Sequence, residues 1–472
     1  MKVYDILLSF QKKDWHWFKK YLLSPIFNKN ESIIRIFDFY GANKNNLKKA
    51  LFSENLFQHT FPDQPFEASK LHHASNYFLR TAEDYLAWNE WQQNEEEQLL
   101  CLLSACRKRG LEKRFKATHH RLQDIHERRP ERNPQHYRFK YQLALEEYQH
   151  SMQSGRSGAE QLQPLSDWHD VAFVAEKLKN ACILLSRRKL LRTEFDTGLL
   201  TAVLEFVKTR PGLLDFPAIA VYYYGFMTLN EPEKDAHFFA LKPHLTSAGE
   251  QFPLQELRDI YLLAVNFCIN RINLRQNEYL KEVLDLYQSG LEAQVFLENG
   301  QISRFTYTNI TLVALRGGEF DWVYRFLEKY RDKLPEHQRQ GTYSFNLARY
   351  YCEKGDYDRA MPLLQEMDFD DVLHNLVAKT MLLRMYYETG EHNALASLLD
   401  SLESYLRRKR LIGEQQQAAY RNTVRFVRKL MGLKPGNSKA RRQLVEDISA
   451  TPLLAEKDWL VRTAGGDWER GL

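Results

Sequence analysis

The stretch 343-YSFNLARYYCEKGDYDRAMPLLQEM-367 decides how the chain reads. Leu347, Ala348 and Tyr351 precede Gly355, and Tyr357, Ala360 and Leu364 follow it. Small residues such as Ala348 and Ala360 let two helices approach, Tyr351 and Leu364 fill the space between them, and glycine permits a tight turn. Two further copies of this plan flank the first. Around Gly318 the corresponding residues are Ile310, Thr311, Ala314, Phe320, Val323 and Leu327, closed by Pro335; around Gly390 they are Leu382, Leu383, Tyr386, His392, Leu395 and Leu399. The three glycines stand 37 and 35 residues apart.

Spacing and residue types together resemble the tetratricopeptide repeat, a helix-turn-helix unit of about 34 residues. The resemblance covers residues 304–405, although Tyr307, Ser344 and Lys379 stand where that family has a Trp. It is fainter around Gly110 in "LLSACRKRGLEKRFKATHHRL". One such pair cannot bury its own apolar face, so neighbours must stack. The implied fold is all-α, an elongated α-solenoid of antiparallel helix pairs. The implied role is that of a non-enzymatic adaptor or scaffold, binding a peptide segment or protein surface in a groove along the first helices. Carried over position by position, the groove residues are Asn309 and Arg316, then Asn346, Arg349 and Glu353, then Arg384, Tyr387 and Glu388. Asn and Arg side chains on adjacent helices suit peptide backbone and carboxylate.

Helical periodicity continues outward from the repeat. Val3, Ile6, Leu7 and Phe10 recur on one helical face, as do Leu71, Ala74, Phe78, Ala82 and Tyr85. The expected organisation is an N-terminal helical region over 1–150, a Ser/Gly/Gln-rich linker or long loop over 151–168, and middle helical repeats over 169–303. The tetratricopeptide-like pairs over 304–405 follow, then a basic C-terminal helical region with an acidic tail over 406–472. Asn299-Gly300 between alternating apolar residues is a β-hairpin signal, but its second half runs into the repeat, which favours helix, loop, helix.

The stretch 18-FKKYLLSPIFNKNE-31 reads as a joint between helices. Pro25 ends the first helix at Ser24, Phe27 plugs the corner, and Asn28 with Glu31 forms a capping box for the second. The stretch is also similar to the beginnings of uncharacterised bacterial helical proteins, a resemblance that implies no activity.

The formal net charge of +5 over 472 residues gives no general reason for a polyanion partner, but the charge is unevenly placed. Between Tyr405 and Arg442 stand Arg407, Arg408, Arg410, Arg421, Arg425 and Arg428 among other bases, with Glu414 the only acid. Arg421, Arg425 and Arg428 share one helical face, and Val424, Val427 and Met431 another. This basic 405–442 face carries the alternative reading, a nucleic-acid-associated regulator. It also suits pairing with Glu446, Asp447, Glu456 and Asp458 of the tail.

The five cysteines form no C-x-x-C pair and suit a reducing compartment. No signal-like or membrane-spanning run is evident, so a cytoplasmic location is expected. Phosphate-binding loops, H-E-x-x-H and nucleophile elbows are missing from the sequence. His72-His73 and His119-His120 diverge by about 100° on a helix and cannot share a metal. No catalytic residue, metal or cofactor is therefore expected.

Overall fold

The computed structural model describes residues 2–44, 54–153, 158–191, 193–365, 372–408, 413–433 and 437–466. The chain is all-α, with 23 α-helices and one two-stranded hairpin among these residues. It divides into two compact units, the first of residues 1–130 and 138–169, the second of 131–137 and 170–472.

The first unit begins with α1 (Lys2–Ser9), α2 (Lys12–Leu23), α3 (Glu31–Ala42), α4 (Glu54–Thr60) and α5 (Ala68–Gln93). Their apolar faces meet in a core that includes Phe18, Ile36, Phe57, Phe78 and Tyr85. The joint at Pro25 behaves as its sequence implies: α2 stops at Leu23 and Ser24 is extended. The capping residue is different. Asn28 is buried and its amide donates to the Leu22 carbonyl (2.8 Å), closing the corner. Asn30 caps α3 instead, accepting from the Ser32 backbone N–H at 2.9 Å. Phe27 stacks on Tyr21 with ring centroids 4.3 Å apart.

Helices α6 (Glu95–Lys108), α7 (Glu112–Arg128) and α8 (Pro134–Gln153) follow, then α9 (Ala159–Leu191). The span 151–168, expected as a linker or loop, is helical at 151–153 and from Ala159 onward. Residues 154–157 lie outside the described residues. Glu160, Gln161, Leu162 and Gln163 are good helix formers that carry the chain through Pro164.

In the second unit come α10 (Leu200–Thr209), α11 (Pro217–Asn230), α12 (Asp235–Ala248), α13 (Leu254–Asn273) and α14 (Tyr279–Glu292). After the hairpin come α15 (Arg304–Arg316), α16 (Phe320–Tyr330), α17 (Glu336–Lys354), α18 (Tyr357–Gln365), α19 (Val372–Glu388), α20 (His392–Arg408), α21 (Glu414–Met431), α22 (Ser438–Ala450) and α23 (Lys457–Gly465). Sequential helices pack as pairs: α11 with α12, α13 with α14, α15 with α16, α17 with α18, α19 with α20. The first helices of successive pairs also touch, α15 with α17 and α17 with α19. Ala348 and Ala360 are both fully buried, and they share a cluster with Phe345 and Leu364. Tyr307 occupies the position of the family's Trp, and its hydroxyl donates to the Leu327 carbonyl across its pair at 2.8 Å.

The turns share one backbone pattern. At Gly355 (φ 77°) the glycine N–H donates to the Cys352 carbonyl and the Asp356 N–H to the Tyr351 carbonyl. This is a helix end closed by a left-handed residue and a six-to-one hydrogen bond. Gly110, Gly318 and Gly390 repeat it, each with positive φ. So do Arg275 (φ 68°) and Gln294 (φ 57°), where no glycine marks the turn.

At Asn299-Gly300 the chain forms a hairpin, against the expected simple loop. Leu297–Glu298 pairs antiparallel with Gln301–Ile302, and both turn residues have positive φ (50° and 77°). Arg258, on α13, stabilises it from within the core. Its guanidinium donates to the Val295 carbonyl at 2.6 Å and the Leu297 carbonyl at 2.5 Å, and it pairs with Glu298. Four cysteines are buried and Cys101 is exposed. No described helix is long and apolar enough to cross a membrane.

Candidate binding site

Arg384 of α19 is the centre of the groove set. Its guanidinium lies 3.3 Å from Glu353 of α17 and 3.3 Å from Glu388 one turn along its own helix. Only 14% of its side chain and 23% of that of Glu388 are exposed, which removes much of the solvent screening from that pair, while Glu353 stays open to water. Arg349 is half-buried over the Phe345 ring, 5.1 Å from its centroid. Arg316, exposed at the end of α15, adds its charge to the field felt by Arg349 and Glu456. Among the residues named from the sequence, Arg316, Arg349, Glu353, Arg384, Tyr387 and Glu388 thus belong to one locality.

Asn346 does not belong to it. It is fully buried in the seam between α15 and α17, where its amide donates to the Thr308 hydroxyl (3.1 Å) and the Thr342 carbonyl (2.8 Å). The carried-over helix position faces the neighbouring helix here because α15 and α17 approach closely at Thr308. Asn309 is exposed and takes no part in the set.

The locality is filled by the chain itself. Residues 451–456 run from α22 to α23 and are tied to α21: the Asn422 amide donates to the Leu453 carbonyl at 2.9 Å, and the Ala455 N–H donates to the Thr423 hydroxyl at 3.1 Å. Glu456 then adopts a left-handed conformation (φ 55°, ψ 35°), uncommon for a residue with a Cβ. One turn further on, the Trp459 indole N–H donates to Glu388 at 2.6 Å, and the ring stands edge-on to Tyr387 with centroids 5.8 Å apart. Glu388 also accepts from the Tyr357 hydroxyl. One carboxylate therefore gathers an arginine, a phenol and an indole from three helices.

The electrostatics of this enclosure are costly. Burial raises the Glu456 carboxyl above its ordinary value of 4.5, against the opposing pull of Arg384, Arg349 and Arg316. Burial likewise lowers Arg349, opposed by Glu456 and Glu353. Both ionised groups lose hydration that their partners only partly replace.

The second candidate, the outer face of α21, has the amphipathic form its sequence implies. Arg421, Arg425 and Arg428 are exposed, and Val424 and Val427 are buried. Much of its charge is paired: Arg428 with Asp400 (2.6 Å) and Glu403 (3.3 Å), Arg407 with Glu403 (2.7 Å), and Lys429 with Asp447 (3.1 Å). The Arg425 guanidinium lies over Phe426, 4.8 Å from the ring centroid, and helps lower the Asp447 carboxyl after Gln443 and Lys429. Arg410 and the side chain of Arg408 lie outside the described residues.

Sequence reasoning did not single out Trp459 or Tyr357 as groove residues, and it assigned Glu456 to the tail that would pair with the basic face. The available signal was the helical spacing of Trp459, Leu460, Thr463 and Ala464 in an otherwise polar segment; all four are buried. Among the described residues no group of three or more His, Cys, Asp or Glu side chains could hold a metal. No family model matches the chain, and no curated protein matches it.

Proposed function

We propose that this protein is a cytoplasmic adaptor whose tetratricopeptide-like pairs stack as a solenoid and bind a peptide segment of another protein. The observation that carries the reading is the convergence of Arg316, Arg349, Arg384, Tyr387 and Glu388 on a locality already holding a carboxylate and an indole from elsewhere in the chain. Such a set supplies cations for an acidic side chain, an aromatic edge for a ring, and a carboxylate for an N–H donor. These are recognition elements.

The test compares immobilised full-length protein with its Arg316→Ala/Arg349→Ala variant, matched for helicity, in capture from native lysate with and without nuclease. A discrete protein retained through nuclease treatment and lost on the variant supports the adaptor. Equal retention by both removes the groove from consideration. Recovery of nucleic acid, with proteins released by nuclease, favours the rival reading through Arg421 and Arg425. The carboxylates beside Arg407, Arg428 and Lys429 weigh against that rival, since paired cations release fewer counterions on binding a polyanion.

A further inference from the structure

We infer that residues 456–460, Glu-Lys-Asp-Trp-Leu, are an internal copy of the segment the partner presents, so that the partner binds by displacing α23 from the groove. The inference rests on the reading of that groove as a peptide site and adds its ligand chemistry: an acidic residue followed, one helical turn later, by a tryptophan and an aliphatic residue.

The local geometry supports a ligand-like engagement. The connection that delivers the segment is held by polar contacts to the Asn422 and Thr423 side chains and by the Lys457 ammonium, which donates to the Ser449 and Thr451 carbonyls. The specific contacts are few: one indole hydrogen bond to Glu388 and one aromatic edge against Tyr387, while the Glu456 carboxyl lies in the field of Arg384, Arg349 and Arg316 without an ion pair to them among the described residues. Leu460 and Ala464 join the terminal apolar cluster with Val424, Leu444 and Ile448, which gives the docked state its apolar component. Glu456 holds a strained left-handed backbone and a carboxyl disfavoured in its ionised form, so the closed state carries costs that release would relieve. A tethered ligand competes at a high effective concentration, and a partner's apparent affinity falls by the fraction of molecules that are open.

The probe is a labelled synthetic peptide of residues 451–466, titrated into full-length protein and followed by fluorescence anisotropy. In the Trp459→Phe variant the internal latch loses its hydrogen bond to Glu388 without a large cavity, while the receiving residues stay intact, and the peptide is expected to bind at least about tenfold more tightly than to wild type. Adding Arg316→Ala/Arg349→Ala to that variant should abolish the gain. Equal binding to wild type and latch variant, or binding to neither, overturns the inference. If the lysate partner is still lost on Arg316→Ala/Arg349→Ala in that event, the groove reading survives alone. If peptide binding ignores those arginines, the groove reading fails with it.

Hydrogen exchange on the wild-type chain provides a second measurement that needs no variant to fold. Saturating peptide should accelerate exchange in α23 while α17 and α19 keep their protection. An α23 that exchanges no faster than α21, with or without peptide, is a fixed cap, and the inference falls. A dimer that forms with rising protein concentration and dissolves on adding peptide would assign the segment to a second copy, overturning a foreign partner.

Discussion

The arginines of α15, α17 and α19 and those on the outer face of α21 form two cationic regions, yet their chemistry differs. Arg384 keeps 14% of its side chain exposed and Arg428 keeps 45%. Each sits near two carboxylates, at 3.3 Å in the groove and at 2.6 and 3.3 Å on the outer face. Distance alone would rank the outer face higher. Enclosure reverses the ranking for Arg384 with Glu388, whose side chains are 14% and 23% exposed, because removing one partner of an enclosed pair leaves an uncompensated charge, whereas Glu353 and the outer-face pairs are open to solvent. The number of arginines on a surface therefore says less than what lies over them.

The largest effect expected from breaking this contrast is that of Trp459→Ala. It removes a buried ring from the terminal core together with its bond to Glu388, and should cost about 3–5 kcal/mol of local stability. Hydrogen exchange in α21 to α23 is the readout, and unchanged protection would show that the groove is not sealed by this residue. Arg384→Ala should follow at about 3 kcal/mol, since Glu353 and Glu388 lose their shared cation. Its thermal midpoint should fall far more than that of Arg428→Ala, which is expected to cost under about 1 kcal/mol and to lose even that at high salt. Comparable shifts for the two substitutions would remove the distinction between the surfaces.

A pH series sharpens it further. Because the docked Glu456 carboxyl titrates above its ordinary 4.5, the docked state binds that proton more tightly than the open one. Its contribution is fully present below 4.5 and is lost as pH rises through the raised value. Opening of α23, corrected for intrinsic exchange rates, should therefore increase with pH across that interval and then level off. Glu456→Gln should flatten the profile; a slope that persists would place the titrating group elsewhere. Smallest of all, Arg421→Ala should change stability by no more than about 0.5 kcal/mol, as no ion pair depends on it among the described residues.

The helix pairs were legible where a residue type reports a backbone state. Gly318, Gly355 and Gly390 mark left-handed helix ends, and the pairs around them could be placed before any coordinates. The same turn at Arg275 and Gln294 was invisible, since those residues adopt it without advertising it. The Asn299-Gly300 hairpin was written in the local sequence but outweighed by the helical repeat that follows. Its guarantor, Arg258, lies 39 residues before the Leu297 carbonyl it holds. Of the residues carried over from the repeat, Arg384 meets Glu353 and Glu388, whereas Asn346 faces the seam between α15 and α17. The occupant could not be read, because Trp459 meets Glu388 across 71 residues, and nothing in local periodicity encodes a pairing at that range.

The recurrence of one turn has a consequence for the length of the molecule. Gly318 and Gly355 end their helices with the same left-handed residue and the same six-to-one bond, made by backbone atoms alone. Excising residues 319–355 would therefore splice one helix end onto the start of the next second helix with the turn intact, whereas a cut displaced by several residues would not. The turn sets where such a cut could fall, while the side chains of each seam, such as Asn346 against Thr308, decide whether the rejoined helices fit.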